Sequence, residues 1–313
     1  MTVLIDPPYW RAHGTIWSHM VSDSDHAELH AFAQALGLPR RAFDLDHYDV
    51  PERLHGTAVA SGAEAVSGRE LLSRLVASEL RVRRADRPEA ARRQRIAYLH
   101  DEWARLGERL EIETSPWGQL GASLIDRWSE PHRRYHDLSH LHDVLLALDQ
   151  LSLEGSAPLA SDAFAPTDVE VQLAAWFHDA IYQGTPDDEH DSAELAGAEL
   201  RRLGLSERRV DAVVRLVLAT KPGSSDAENP DAAPLLDADL SIFAAGRAHY
   251  QRYTEAVRDE YEFVPEEDFR QGRARILESY LQREWIYASA RARELWESRA
   301  RANLAAEIAA LRA

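Results

Sequence analysis

"AAWFHDAIYQGTPDDEHDSAELA", residues 174–196, sets His178 and Asp179 side by side between Trp176, Phe177, Ala180 and Ile181. The dipeptide alone carries little information, because His-Asp also occurs at His100, His136, His142 and His190. Its apolar frame is the informative part. An ionised carboxylate in such surroundings costs on the order of several kcal/mol unless it is paired or bound to a metal. The residues around it have helical spacing, and from Pro88 onward no strand signal competes with that pattern. Helices are expected over 89–111, 116–129, 136–150, 167–182, 188–203, 206–219, 239–262, 266–283 and 286–312, with prolines such as Pro131, Pro166 and Pro265 between them.

Two further stretches place metal-ligand residue types in apolar helical settings. In "RRYHDLSHLHDVLLAL", His136 and His140 are four apart and are expected on one helical stripe beside Leu141, Val144, Leu145 and Leu148. In "LLDADLSIF", Asp237 and Asp239 interrupt Leu235, Leu236, Leu240, Ile242 and Phe243. A single buried histidine is ordinarily just hydrogen-bonded, and a single buried aspartate ordinarily caps a helix or meets an arginine. Three such sites in one chain are hard to account for in that way. Imidazole and carboxylate ligands suit one divalent transition metal: Mn, Fe, Co, Ni or Zn.

These residues resemble the HD superfamily of metal-dependent phosphohydrolases over about residues 90 to 313. The matching pieces are Tyr135-His136 with His140, Trp176-Phe177-His178-Asp179, Asp237-Ala238-Asp239-Leu240 and Arg258-Asp259-Glu260-Tyr261. The resemblance implies His140, His178, Asp179 and Asp239 as metal ligands. Similarity to the cyclic-nucleotide phosphodiesterases implies His136 as the acid that protonates the leaving oxygen, and prefers Asp239 over Asp237. A cation held by four N and O ligands keeps a position for water, which it activates for in-line attack on phosphorus, with Asp179 orienting that water. Asp237 is then expected behind the ligands, holding a histidine in its tautomer. No histidine lies between Asp191 and Asp237, so a single catalytic ion is expected.

Expected substrate groups are Arg258 and Arg273, because guanidinium binds phosphate through paired hydrogen bonds, together with Lys221, Glu189 and Tyr135. Each has an ordinary alternative. The arginines could form salt bridges, Lys221 could complement a helix C-terminus, and Glu189 could complement a helix N-terminus.

The first eighty residues follow a different pattern. "TVLID" reads as a strand, "DHAELHAFAQALGL" as a helix ended by Gly37, and a further helix starts near Pro51. The alternation predicts a small α/β domain with a short parallel sheet. "MTVLIDPPYWRAHGTIWSHMVSD" and "LGLPRRAFDLDHYDVPERL" resemble the domain of unknown function 4031. Asp6 ends the first strand, where α/β sheets place ligands. With His13, His19 and His47 it forms a second candidate site for phosphate or metal, with Trp17, Asp23, Arg40, Arg41 and Tyr48 in adjoining segments.

The expected organisation is thus a mainly α protein: an α/β domain over 1–80, an arginine-rich linker over 81–95, and an all-α HD-type bundle over 96–313. The absence of cysteine excludes disulfides and thiolate metal sites. No apolar run is long enough to span a membrane and no secretory signal is evident, so a cytoplasmic protein is expected. A formal charge of −17 opposes binding of nucleic acid through the whole surface. The expected activity is hydrolysis of a phosphoester in a small nucleotide-like substrate. The competing readings are a non-catalytic nucleotide or metal sensor, and a nucleic-acid processing protein that uses the N-terminal domain and the seven arginines from Arg81 to Arg95.

Overall fold

A computed structural model of the chain describes residues 2–12, 15–38, 40–112, 114–152, 168–224 and 229–313. The chain divides into two compact units, residues 1–94 and 95–313.

The first unit contains β1 (Val3–Ile5), β2 (Trp10–Ala12), β3 (Thr15–Ser22), α1 (His26–Ala35), β4 (Phe43–Asp44), β5 (His47–Pro51), α2 (Glu52–Ala60), β6 (Glu64–Ala65) and α3 (Gly68–Ala77). Period-two alternation sorts its side chains. Val3, Ile5, Met20, Tyr48 and Val50 face Leu29, Ala33 and Ala58, whereas Leu4 and Val21 face Leu71 and Leu75. Asp25 and Ser67 start α1 and α3 by accepting the amides of Glu28 and Glu70. The sheet runs β4-β5-β3-β1-β6, with β2 also on β3.

The small sheet followed by helices is as expected, but its strand directions are not. Among the described residues only β1 and β6 pair in parallel, and the other pairings are antiparallel. The physical reason is connection length. A parallel neighbour needs a crossover of about a dozen residues or more, and β2–β3 and β4–β5 return after short links. β4 and β5 form a hairpin, with Leu45 in the left-handed region (φ 64°) at its turn.

The second unit is helical: α4 (Arg87–Arg109, which begins in the first unit), α5 (Thr114–Trp128), α6 (Leu138–Ser152), α7 (Asp168–Phe177), α8 (Asp188–Arg202), α9 (Glu207–Ala219), α10 (Ala233–Asp239), α11 (Arg247–Glu260), α12 (Glu266–Leu281), α13 (Ala290–Ala292) and α14 (Ser298–Arg312). A π-helical turn, Arg293–Glu297, joins the last two. One continuous apolar core runs through these helices. No helix among the described residues is long and apolar enough to cross a membrane.

Three boundaries differ from expectation in ways that shape the site. The helix expected from 136 begins at Leu138, because Asp137 accepts the amide of Ser139 at 2.7 Å and its carbonyl accepts that of Leu141. His136 therefore lies in the turn before α6, off the helical stripe. The helix expected to run to 182 stops at Phe177. The helix expected over 239–262 is a 3-10 turn, Leu240–Ala244, followed by α11, and an additional helix, α10, with Pro234 in its first turn, precedes them. Pro166 lies outside the described residues, as does part of the Gly/Ser/Pro-rich loop after Lys221.

Trp103 and Trp117 lock α4 to α5. Their rings stack at 4.0 Å, and each indole N–H donates to the other residue's carbonyl, at 2.8 and 2.6 Å. Gly107 and Gly121 leave room for them, since a Cβ at Gly121 would lie 2.2 Å from the Trp103 ring. Gly121→Ala is expected to lower unfolding stability by about 1–3 kcal/mol through overpacking. In urea unfolding this reads as an earlier midpoint at unchanged slope, and an unmoved midpoint would refute it.

Candidate metal centre

Three segments converge so that the ligand atoms of His140, His178 and Asp239 lie within 4.8 Å of one another, with Asp179 beside His178. His140 lies on the first turn of α6, Asp239 ends α10, and His178 and Asp179 follow the last residue of α7. The amide of His178 still bonds the Ala174 carbonyl at 2.9 Å, and a tight turn follows in which Ala180 N–H donates to Phe177. That turn leaves His178 inward and Asp179 beside it.

The Nε2 atoms of His140 and His178 are 3.2 Å apart. Asp239 Oδ1 is 3.1 Å from His140 Nε2 and 3.8 Å from His178 Nε2. Asp179 Oδ2 is 3.2 Å from His178 Nε2 and 3.8 Å from His140 Nε2. Ligands about 2.1 Å from one ion are about 3.0 Å apart at neighbouring octahedral positions and about 3.4 Å apart at tetrahedral ones, so His140, His178 and Asp239 fit a divalent cation, with Asp179 at their edge. The tautomer fits as well. His178 Nδ1 lies 2.9 Å from the Ala175 carbonyl, which fixes the proton there and leaves Nε2 as the ligand atom. The histidines are buried, while the Asp179 and Asp239 side chains are 16% and 28% exposed, so the carboxylates form the open rim.

The local electrostatics show how strongly these groups couple. Burial opposes charge on His178, yet the Asp179 carboxylate outweighs it and pushes the imidazole up to about 9. Burial likewise opposes the Asp179 anion, but His178 holds it well below the usual carboxylate range. Asp239 is lowered against burial by His140.

His136 stands beside this cluster, its ring centre 5.5 Å from that of His140. Its partner is Glu260 at the end of α11, whose Oε2 lies 2.6 Å from His136 Nδ1. Glu260 Oε1 accepts the successive amides of Arg134, Tyr135 and His136, and the Tyr182 hydroxyl donates to Oε2. Tyr182 also stacks on the His136 ring at 4.3 Å. Burial opposes the imidazolium, but the Glu260 bond prevails and His136 sits above its ordinary pKa. Burial also opposes the Glu260 anion, and the His136 bond lowers it to about 2.

Glu260 and Arg133 are the functional residues that the sequence reading missed. Arg133 is buried, and its guanidinium donates to the carbonyls of His136, Asp179 and Ala180, at 3.0, 2.8 and 3.2 Å. It therefore ties the turn bearing His136 to the turn bearing Asp179. Glu260 lies in the Arg-x-Glu-Tyr stretch, but nothing in that stretch marks His136 as its partner. An arginine three residues before His136 carried no signal either.

Several expected roles are corrected. Asp237 does not back a ligand histidine, because its oxygens accept the amides of Ala288 and Ser289 at 2.7 and 2.8 Å. Arg258 is spent on its own loop, donating to Glu266, the Tyr261 carbonyl and the Val264 carbonyl. Arg273 is committed to Glu307 and the Tyr253 hydroxyl at 2.8 and 2.6 Å. In both, local acceptors take the donors that phosphate would need. Lys221 Nζ donates to the Pro186 carbonyl at 2.8 Å and so ties the loop before α8. Glu189 is half-buried, and burial, with the Asp179 charge adding to it, raises its carboxyl. Tyr135 packs its ring against those of His136, His140 and Tyr253.

In the first unit Asp6, His19 and His47 come together on one face of the sheet, whereas His13 lies outside the described residues. Tyr48 turns into the core and Asp23 pairs with Arg74. Arg81 and Arg87 of the arginine run pair with Asp46 and Asp44, and Arg93 with Glu89.

Residues 3–78 match a family model described as "Protein of unknown function (DUF4031)", which bears out the resemblance of the first eighty residues. No curated protein and no solved structure matches the chain.

Proposed function

We propose that residues 95–313 form an HD-type, metal-dependent phosphohydrolase acting on a phosphoester of a small nucleotide-like substrate. The observation that carries this reading is the convergence of the His140, His178 and Asp239 ligand atoms, with Asp179 beside them, next to a histidine whose Nδ1 is held by a carboxylate. His140, His178, Asp179 and Asp239 would hold the cation. A divalent ion so held lowers the pKa of water and polarises a phosphoryl oxygen.

The chain's own residues supply the rest. Glu260 keeps the His136 Nδ1 proton in place, so the proton available for transfer is on Nε2. The same carboxylate stabilises the imidazolium, the form that donates to the departing oxygen. Tyr182 fixes the ring plane by stacking, and the three amides on Glu260 fix the turn. Arg133 ties that turn to Asp179, so the proton donor and the ligand rim keep one spacing.

The test is a panel of nucleoside phosphomonoesters and phosphodiesters assayed with Mn, Co and Ni. Turnover that depends on added metal and disappears with a chelator is the expected result. Absence of turnover with every metal would count against the proposal.

A further inference from the structure

The sheet of the first unit gathers a second set of metal-ligand groups, and its register explains why. His19 on β3 is directly opposite Asp49 on β5. His47 is two residues before Asp49 on the same strand, so the three side chains share one face. Asp6 follows β1 and bonds to the backbone of His19, which brings it into the same row. This is the face of Leu4 and Val21, opposite the one that buries Tyr48 and Val50.

One ligand atom from each of His19, His47 and Asp49 lies within 4.8 Å of the other two. Both histidines have one nitrogen anchored by a carboxylate. Asp6 Oδ2 lies 3.0 Å from His19 Nδ1, and Asp46 Oδ1 lies 2.8 Å from His47 Nδ1. The two anchoring aspartates are about fully buried, at 1% and 0% exposure, and are fixed in turn. Asp6 Oδ1 accepts the His19 amide at 2.6 Å, and Asp46 accepts the Val82 amide at 2.8 Å as well as Arg81. A carboxylate on Nδ1 selects the tautomer whose Nε2 carries a lone pair, which is the usual support behind a metal-bound histidine. Asp49 supplies a further sign: its Oδ1 is buried, has no hydrogen-bond partner among the described residues, and sits 3.7 Å from His47 Nε2.

We infer that His19, His47 and Asp49 bind a divalent transition-metal ion, with Asp6 and Asp46 as positioning residues behind the two histidines. Two imidazoles and one carboxylate suit Zn, Co or Ni. Three protein ligands leave coordination positions for a small molecule, as in catalytic rather than structural sites. The three side chains are between 15% and 31% exposed, so the site is reached from solvent. The exposed Trp10 ring stacks on His19 at 6.4 Å.

The test uses the full chain, stripped with a chelator and titrated with Co(II) by calorimetry, with bound metal counted by elemental analysis. His47→Ala and His19→Ala are each expected to bind one Co(II) fewer than the unsubstituted protein. His178→Ala, which addresses the helical centre, should leave that equivalent in place, and His178→Ala with His47→Ala should lose it. Equal Co(II) content in His47→Ala and the unsubstituted protein would overturn the inference, as would a loss confined to His178→Ala. If circular dichroism shows that His47→Ala is unfolded, Asp46→Asn decides. About ten- to a hundred-fold weaker binding of this one equivalent is expected, and unchanged affinity in the folded variant overturns the inference.

Discussion

His178→Ala is expected to reduce the affinity of the helical unit for Mn or Co by more than about a hundred-fold. Hydrolysis should fall with it. Removing a group that merely orients a ligand already costs about ten- to a hundred-fold, and His178 is itself a proposed ligand whose Nε2 faces His140 at 3.2 Å. Calorimetric titration with Mn gives the affinity, and the nucleotide assay gives the rate. Retention of both in a folded His178→Ala protein would remove the basis for placing the cation among these four side chains.

Glu260→Gln should separate proton delivery from metal binding. Among the described residues Glu260 bonds to none of the four proposed ligands, so metal affinity should be unchanged. The rate should fall by about a hundred-fold, the lower end of what general acid catalysis contributes. The pH profile gives the sharper readout. A general acid must be protonated, so activity falls as pH rises through the His136 pKa. Glu260 holds that pKa above the ordinary value, and the neutral amide does not, so the fall should move to lower pH. A profile with an unmoved basic limb would show that His136 is not the acid. A parallel loss of metal would show that Glu260 acts on the ligands instead.

The helical unit and the meeting of its candidate ligands were legible for one physical reason. Histidines and aspartates stand out against apolar surroundings, and His140, His178, Asp179 and Asp239 had no other evident way to offset their burial. Residue type was enough there. It was not enough for Arg258, Arg273 and Asp237, which carry suitable chemistry but are claimed by Glu266, Glu307 and the 288–289 backbone respectively. Those partners are set by tertiary packing, which spacing along the chain does not encode. Glu260 was hidden likewise, since it meets His136 from 124 positions away. The start of α6 was nearer to hand. Asp137 followed by Ser139 is an N-cap pattern, but the four-residue spacing of the histidines suggested a helix starting two residues earlier. In the first unit, β-branched and aromatic residues marked strands without marking their direction, which loop length decides.

Trp128 gives the helical unit an optical reporter of its own. Its ring centre is 5.4 Å from that of His178 and 6.1 Å from that of His140, and its indole N–H is held by the Trp176 carbonyl at 3.0 Å. An emitter so close, and fixed in orientation, should be dimmed by a paramagnetic ion and left bright by zinc. Occupancy could then be followed in unlabelled protein by ultraviolet emission alone.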